Sequence, residues 1–239
     1  MSIQTRLIDY ESGGMGFEGL LAWDDTASEQ RPGVMVCHTI AGRTEFEEQK
    51  AHKLAELGYV GFAADVYGKE TRTTDADENR AMMRALLDDR PMLQQRLLAS
   101  LGTMREQTEV DASAVAAIGF CFGGLCVMDI ARTGEDIAGV VSFHGLFSAP
   151  GNTVGNKISA KILALHGWDD PMAKPDQVVA LAEELTATGA DWQLHGYGHT
   201  LHAFTNPQAN DPDHGKRYSE DADRRSWTAM QNFLAEVFA

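Results

Sequence analysis

Within six residues, Gly119-Phe120-Cys121-Phe122-Gly123-Gly124, the chain must pass from an apolar run, residues 115–118, to a second apolar stretch beginning at Leu125. A strand that turns into a helix over so short a distance needs small residues on both sides of the turning position, because the two backbones approach within contact distance. Cys121 occupies that position. The pattern is a nucleophile elbow written with cysteine, which holds a thiol above the end of a sheet beside the backbone N–H of Phe122. Taken alone it fits a buried cysteine in a glycine-rich turn equally well.

The surrounding sequence supplies the sheet. Short apolar runs recur at residues 34–37, 60–64, 115–118, 140–143 and 162–165, each too short for a helix and nearly free of charge. Such runs read as strands buried on both faces. Helical segments alternate with them, which predicts an α/β fold with a mostly parallel sheet and helices on both faces.

Thr44-x-x-Glu47 is a capping box ahead of a helix that places Ala51, Leu54 and Ala55 on one face and stops at Gly58. Residues 76–89 and 91–109 are helical in pattern, broken at Pro91, and a further helix starts at Pro175 and ends near Gly189. The last helix is expected over about residues 218–237, with Trp227, Met230, Phe233 and Leu234 as its apolar stripe. Residues 3–10 and 17–23 read as two strands joined through Gly13-Gly14. The 239 residues are read as one domain, 1–239.

Composition narrows the function class. Thirty-five acidic against 20 basic side chains give a formal charge of −15, which opposes nucleic acid at long range and favours a neutral small-molecule substrate. No apolar stretch approaches the length of a membrane span and no basic, apolar leader is present, so no membrane partner and a cytoplasmic location are expected. The three cysteines, Cys37, Cys121 and Cys126, form neither a CxxC pair nor an even secreted set, which fits reduced thiols. A monomer or small homo-oligomer is expected.

Downstream of the elbow, one apolar run leads into His166-Gly167-Trp168-Asp169-Asp170-Pro171, and a later strand leads into Tyr197-Gly198-His199-Thr200-Leu201-His202-Ala203-Phe204. The chain order is therefore nucleophile, acid, histidine, as in α/β-hydrolases. With Gly-x-Cys-x-Gly-Gly, His-Gly-x-x-Asp and His-Ala-Phe, the chain from about residue 32 to 204 resembles the dienelactone hydrolase family.

That resemblance implies an α/β-hydrolase fold without a large cap domain. It further implies a catalytic triad of Cys121, Asp170 and His202, with Asp170 chosen over Asp169 by the motif's spacing. Ile40 and Phe122 are implied as the backbone donors of an oxyanion hole. Two positions depart from the family: Thr39 stands where many members carry glutamate, and Asn206 where the namesake enzymes carry arginine. Thr39 cannot supply the carboxylate that would gate the thiol, and Asn206 weakens the expectation of classical dienelactone turnover. Glu45 or Glu48 folding back into the site would replace the missing carboxylate.

The expected chemistry is cysteine-dependent hydrolysis of neutral activated esters or lactones, without metal or organic cofactor, and extends to phosphotriesters with good leaving groups. The alternatives are a non-catalytic ligand-binding member of the fold and an acyltransferase using the same triad. Thr39, Tyr67, Trp168 and Phe204 are candidates for the substrate-binding wall, although core packing accounts for any one of the aromatics equally well. His195, His199 and His202 invite a zinc reading, but the intervening glycines argue against one helix face and no cysteine or carboxylate has diagnostic spacing. His38, His144 and His166 follow apolar strands and are expected to be buried, hydrogen-bonded histidines.

Overall fold

Alternating apolar runs and helical segments fold, in the computed structural model, into sixteen main elements across the described residues, 2–26 and 28–239. In chain order these are β1 (Ile3–Ser12), β2 (Met15–Asp24), β3 (Arg31–Cys37), α1 (Glu45–Glu56), β4 (Val60–Ala63), α2 (Ala76–Asp88), α3 (Arg90–Arg105) and β5 (Val110–Phe120). There follow α4 (Phe122–Thr133), β6 (Gly139–Phe143), β7 (Lys161–Gly167), α5 (Pro175–Ala187), β8 (Trp192–Tyr197), the short β9 (Asn210–Asp211) and β10 (Lys216–Arg217), and α6 (Glu220–Val237). Strands β1 to β8 form one mostly parallel sheet in the order β1-β2-β4-β3-β5-β6-β7-β8, as the buried apolar runs predict. The chain divides into two compact units, Met1–Ile118 and Gly119–Ala239.

In the first unit, β1 and β2 pair antiparallel with Ser12 opposite Met15, so Gly13 and Gly14 make a two-residue turn. Both have positive φ, the geometry whose twist matches a hairpin. Strand β2 pairs antiparallel with β4, and β4 pairs parallel with β3. The capping box of α1 forms as its sequence predicts: Thr44 accepts from the Phe46 N–H, and Glu47 Oε2 accepts from the Thr44 N–H at 2.9 Å.

The break between α2 and α3 falls at Asp89 rather than Pro91. Asp89 ends α2 and caps α3 by accepting from the Met92 N–H, while Pro91 lies in the first turn of α3, where its missing N–H is harmless. Helix α3 stops at Arg105, which leaves residues 110–114 to extend β5.

In the second unit, β6, β7 and β8 pair in parallel. Every residue of α4 from Phe122 to Arg132 is buried, including two charged ones. The Arg132 guanidinium pairs with Glu184 at 2.7 Å and with Asp129 at 3.5 Å, and donates to the Phe147 and Ser148 carbonyls. Helix α6 begins after the cap Ser219 and buries Ala222, Ser226, Met230, Phe233 and Leu234, with Trp227 half-buried beside them. No helix among the described residues is long and apolar enough to cross a membrane.

Candidate active site

The elbow takes the form its glycines predict. Cys121 lies between β5 and α4 at φ 57°, ψ −115°, a backbone region that non-glycine residues rarely occupy. A Cβ on Gly119 would overlap the Gly123 carbonyl, so only glycine permits the strand and the new helix to approach this closely. The Cys121 N–H donates to the Phe143 carbonyl at 3.0 Å and to His144 Nδ1 at 3.1 Å. Phe122 is the first residue of α4, where helix N–H groups have no intrahelical acceptor and the dipole favours negative charge.

Two loops of the same unit bring acid and base together. His202 Nδ1–H donates to Asp170 Oδ2 at 2.7 Å, with both side chains almost wholly buried. The second carboxylate oxygen accepts from the Met172 N–H at 2.8 Å. Asp169 instead points toward the exposed His199, at 3.8 Å, so the pair assembles on Asp170.

Backbone bonds hold each loop against the other. Trp168 N–H donates to the Tyr197 carbonyl and Asp169 N–H to the Thr200 carbonyl. The His202 main chain bonds to Gly215 and Arg217, beside the β9–β10 ribbon. Gly215, at φ 76°, leaves no room for a Cβ against the Pro171 ring, which pins the acid loop to the segment that holds the base.

Burial disfavours a charged His202, but the Cys121 thiolate and the Asp170 carboxylate outweigh it and push the imidazole up to about 10. Its Nε2 is buried and makes no hydrogen bond of ordinary geometry. The sulfur nonetheless lies close enough to the ring to raise its pKa. The arrangement can hold a thiolate–imidazolium pair with its tautomer fixed by a carboxylate.

The remaining buried histidines differ from one another. His38 behaves as an ordinary core histidine, bonding the Thr39 carbonyl at 2.7 Å and accepting from the Val66 N–H at 3.3 Å. His144 bonds the elbow and Thr205 Oγ1, and its ring meets that of His202 edge-on with centroids 5.0 Å apart. His166 departs from the expectation of a hydrogen-bonded core residue: it is fully buried, and neither ring nitrogen has a partner. Burial holds its pKa below the usual imidazole value and the nearby His202 adds to that, against the pull of Asp170.

The candidate wall residues fall in different settings. Trp168 is half-exposed, whereas Phe204 is completely buried and packs edge-on against His144 and Tyr197, so it supports the base loop from behind. In the first unit, Ile40 follows β3 in the turn closed by the Gly42 N–H on the Thr39 carbonyl. The Ile40 carbonyl accepts from the buried Tyr67 hydroxyl at 3.1 Å.

Glu47, rather than Glu45 or Glu48, reaches this loop: its Oε1 accepts from the Thr39 N–H at 3.0 Å while Oε2 completes the helix cap. Glu48 pairs with Arg43, and Glu45 accepts from Gln49. A cavity of about 470 Å³ opens beside the turn, lined by Ala41, Gly42, Arg43, Tyr67, Arg72 and Asn79 among others. Arg43 is buried and engaged by Glu18 and Glu48, and Arg72 bonds Glu18, so neither stands as an isolated cation. Among the described residues, no group of three or more His, Cys, Asp or Glu side chains is placed to hold a metal ion.

The model of the dienelactone hydrolase family matches residues 17–238. The chain belongs to that family. This dienelactone hydrolase family member is a hydrolase of the esterase and lactonase class.

Among solved structures, it is similar to a dienelactone hydrolase-like promiscuous phosphotriesterase from metagenomic libraries, at 36% identity and a TM-score of 0.93 with all of both chains covered. A dienelactone hydrolase from Anabaena variabilis shares the fold at 17% identity, with a TM-score of 0.73 and 99% of each chain covered. A protein of Aquifex aeolicus that bears the name carboxymethylenebutenolidase is 25% identical over 96% of this chain and 97% of its own.

Proposed function

We propose that this chain hydrolyses neutral activated esters and lactones through a thioester on Cys121, with His202 as the base and Asp170 as its orienting carboxylate. The observation that carries this reading is the buried 2.7 Å bond from His202 to Asp170, in a unit where Cys121 sits strained at the head of α4. In the proposed sequence the Cys121 thiolate attacks the carbonyl carbon, and the N–H groups of Ile40 and Phe122 stabilise the oxyanion. Collapse of that adduct breaks the bond to the leaving oxygen, which takes the His202 proton. His202 then removes a proton from water, hydroxide displaces the sulfur, and the acid is released. One oxyanion donor is typically worth about 3 kcal/mol, a hundredfold or more in rate, so the two backbone positions matter as much as the side chains.

Thr39, Tyr67 and Trp168 are the proposed substrate contacts, and Tyr67 lines the first unit's cavity beside the Ile40 turn. Its charged lining is internally compensated, which suits a neutral substrate. A thiol-dependent reaction also suits a reducing compartment such as the cytoplasm. The similar phosphotriesterase supports a second substrate class: neutral phosphotriesters would phosphorylate Cys121 and expel an activated alcohol.

Cys121→Ala and His202→Ala are each expected to abolish release of a chromophore from an aryl ester while leaving the circular dichroism spectrum unchanged. Intact-mass measurement after phosphotriester exposure should place the adduct on Cys121. Full turnover by Cys121→Ala would reject the thioester route, and turnover with an unmodified thiol would reject the phosphoryl one.

A further inference from the structure

The mechanism above uses sulfur, imidazole and carboxylate, but His144 touches two of these three pieces and is assigned nothing. It stands immediately after β6 at φ 39°, in the left-handed region that a histidine seldom adopts, and its side chain is almost wholly buried. Backbone strain of this kind persists only where the surroundings enforce it and is concentrated at functional sites. The enforcing bonds are visible. The His144 N–H donates to the Leu165 carbonyl at 2.8 Å, Nδ1 accepts from the Cys121 N–H at 3.1 Å, and Nε2 faces Thr205 Oγ1 at 2.8 Å.

These bonds fix the ring's chemistry. Because Nδ1 receives a hydrogen bond from a backbone N–H, it carries no proton, and the tautomer assigned by the network has the proton on Nε2, donated to Thr205. Thr205 lies three residues beyond His202, on the loop that carries the base. The His144 ring also meets the His202 ring at 67°, and Phe204 packs on it edge-on with centroids 5.1 Å apart.

We propose that His144 is a positioning residue, a neutral tie that holds the Cys121 backbone in its strained conformation and the His202 ring in register with the sulfur. The inference rests on the thioester reading, since it assigns the tie to the pair on which that reading depends. The acid and base loops are locked to each other by their own backbone bonds, and the elbow by its glycines. His144 joins the first assembly to the second through side-chain bonds. Without it, the Cys121 N–H keeps only the Phe143 carbonyl and the base loop loses its side-chain tie to the elbow, and displacement by even an ångström is costly to a reaction that needs near-attack geometry.

The test compares substitutions that separate the two ring nitrogens. Asparagine tolerates positive φ and can place an acceptor near the Nδ1 position. His144→Asn should therefore keep most of the iodoacetamide alkylation rate of Cys121 and most of kcat for an aryl ester. His144→Ala should lower both by about tenfold or more with KM changed little. Thr205→Val should lower kcat by a smaller factor, and Thr205→Ser should restore it.

Melting temperatures measured in parallel identify a variant that fails to fold, in which case the Asn and Thr205 variants decide. The inference is overturned if folded His144→Ala retains the wild-type alkylation rate and kcat, or if Asn performs no better than Ala and Thr205→Val has no effect. Failure of the thioester reading has a different signature, continued turnover by Cys121→Ala, and leaves the alkylation comparison independent of it.

Discussion

Two buried histidines of the second unit hold their protons differently, and pH separates them. His202 is pushed up to about 10 by the Cys121 thiolate and Asp170 against the opposing effect of burial. Its contribution to stability is present below the ordinary imidazole pKa of about 6.5 and is lost as pH rises from there through about 10. His166 has the opposite sign. Burial holds its pKa down, so the unfolded chain binds a proton that the folded chain refuses, and stability falls as pH drops through about 6.5.

The urea midpoint followed across this range should therefore decline on both sides. His166→Leu should remove most of the acid limb. Because it also deletes two buried nitrogens without partners, it should stabilise the fold at low pH by about 1 kcal/mol or more. An acid limb unchanged in that variant would show that other groups set it.

At the scale of elements, glycine and capping chemistry made much of the site legible in sequence. The elbow, the α1 capping box and the hairpin turn at Gly13-Gly14 are all encoded within a few residues, and short-range backbone sterics dictate each of them. The spacing that selected Asp170 is likewise local, and the carboxylate that meets His202 is the one that spacing indicates.

What sequence did not reveal is long-range. The bond from His144 to Thr205 spans 61 residues, and no local pattern announces it. Glu47 was read only as a cap, although its second oxygen holds the Thr39 N–H and so shapes the turn carrying Ile40. Gly215 gave no signal either, yet its contact with Pro171 fastens the acid loop to the base segment. Gly215→Ala is expected to cost about 1–3 kcal/mol from overpacking and positive φ, and to lower kcat more than KM as the acid–base pair shifts. A stopped-flow trace of ester turnover beside a denaturation curve checks both, and equal loss in kcat and KM would argue against it.

For the molecule as a whole, the second unit is organised around a charged group deep in α4. The Arg132 side chain is 1% exposed and ties α4 to Glu184 on α5 and to the Phe147 and Ser148 carbonyls that follow β6. Helix α4 is also the helix that Cys121 begins, so the same element anchors the elbow at one end and this network near the other. Removing one partner of a buried ion pair strands the other, and Arg132→Ala is expected to destabilise by about 3–5 kcal/mol. Calorimetric unfolding measures this directly; a loss below about 1 kcal/mol would mean that water replaces the guanidinium without difficulty.

Cys121 adds one consequence of its own. Its backbone angles belong to a region that glycine occupies freely and that strains a residue bearing a side chain by about 1–3 kcal/mol. Durability and reactivity are therefore opposed at a single position, where exchanging the whole CH2SH side chain for a hydrogen atom would relax the turn and silence it together. A lineage released from the need for turnover could settle into a sturdier, inert protein in one step, while one that keeps the sulfur must retain that tension.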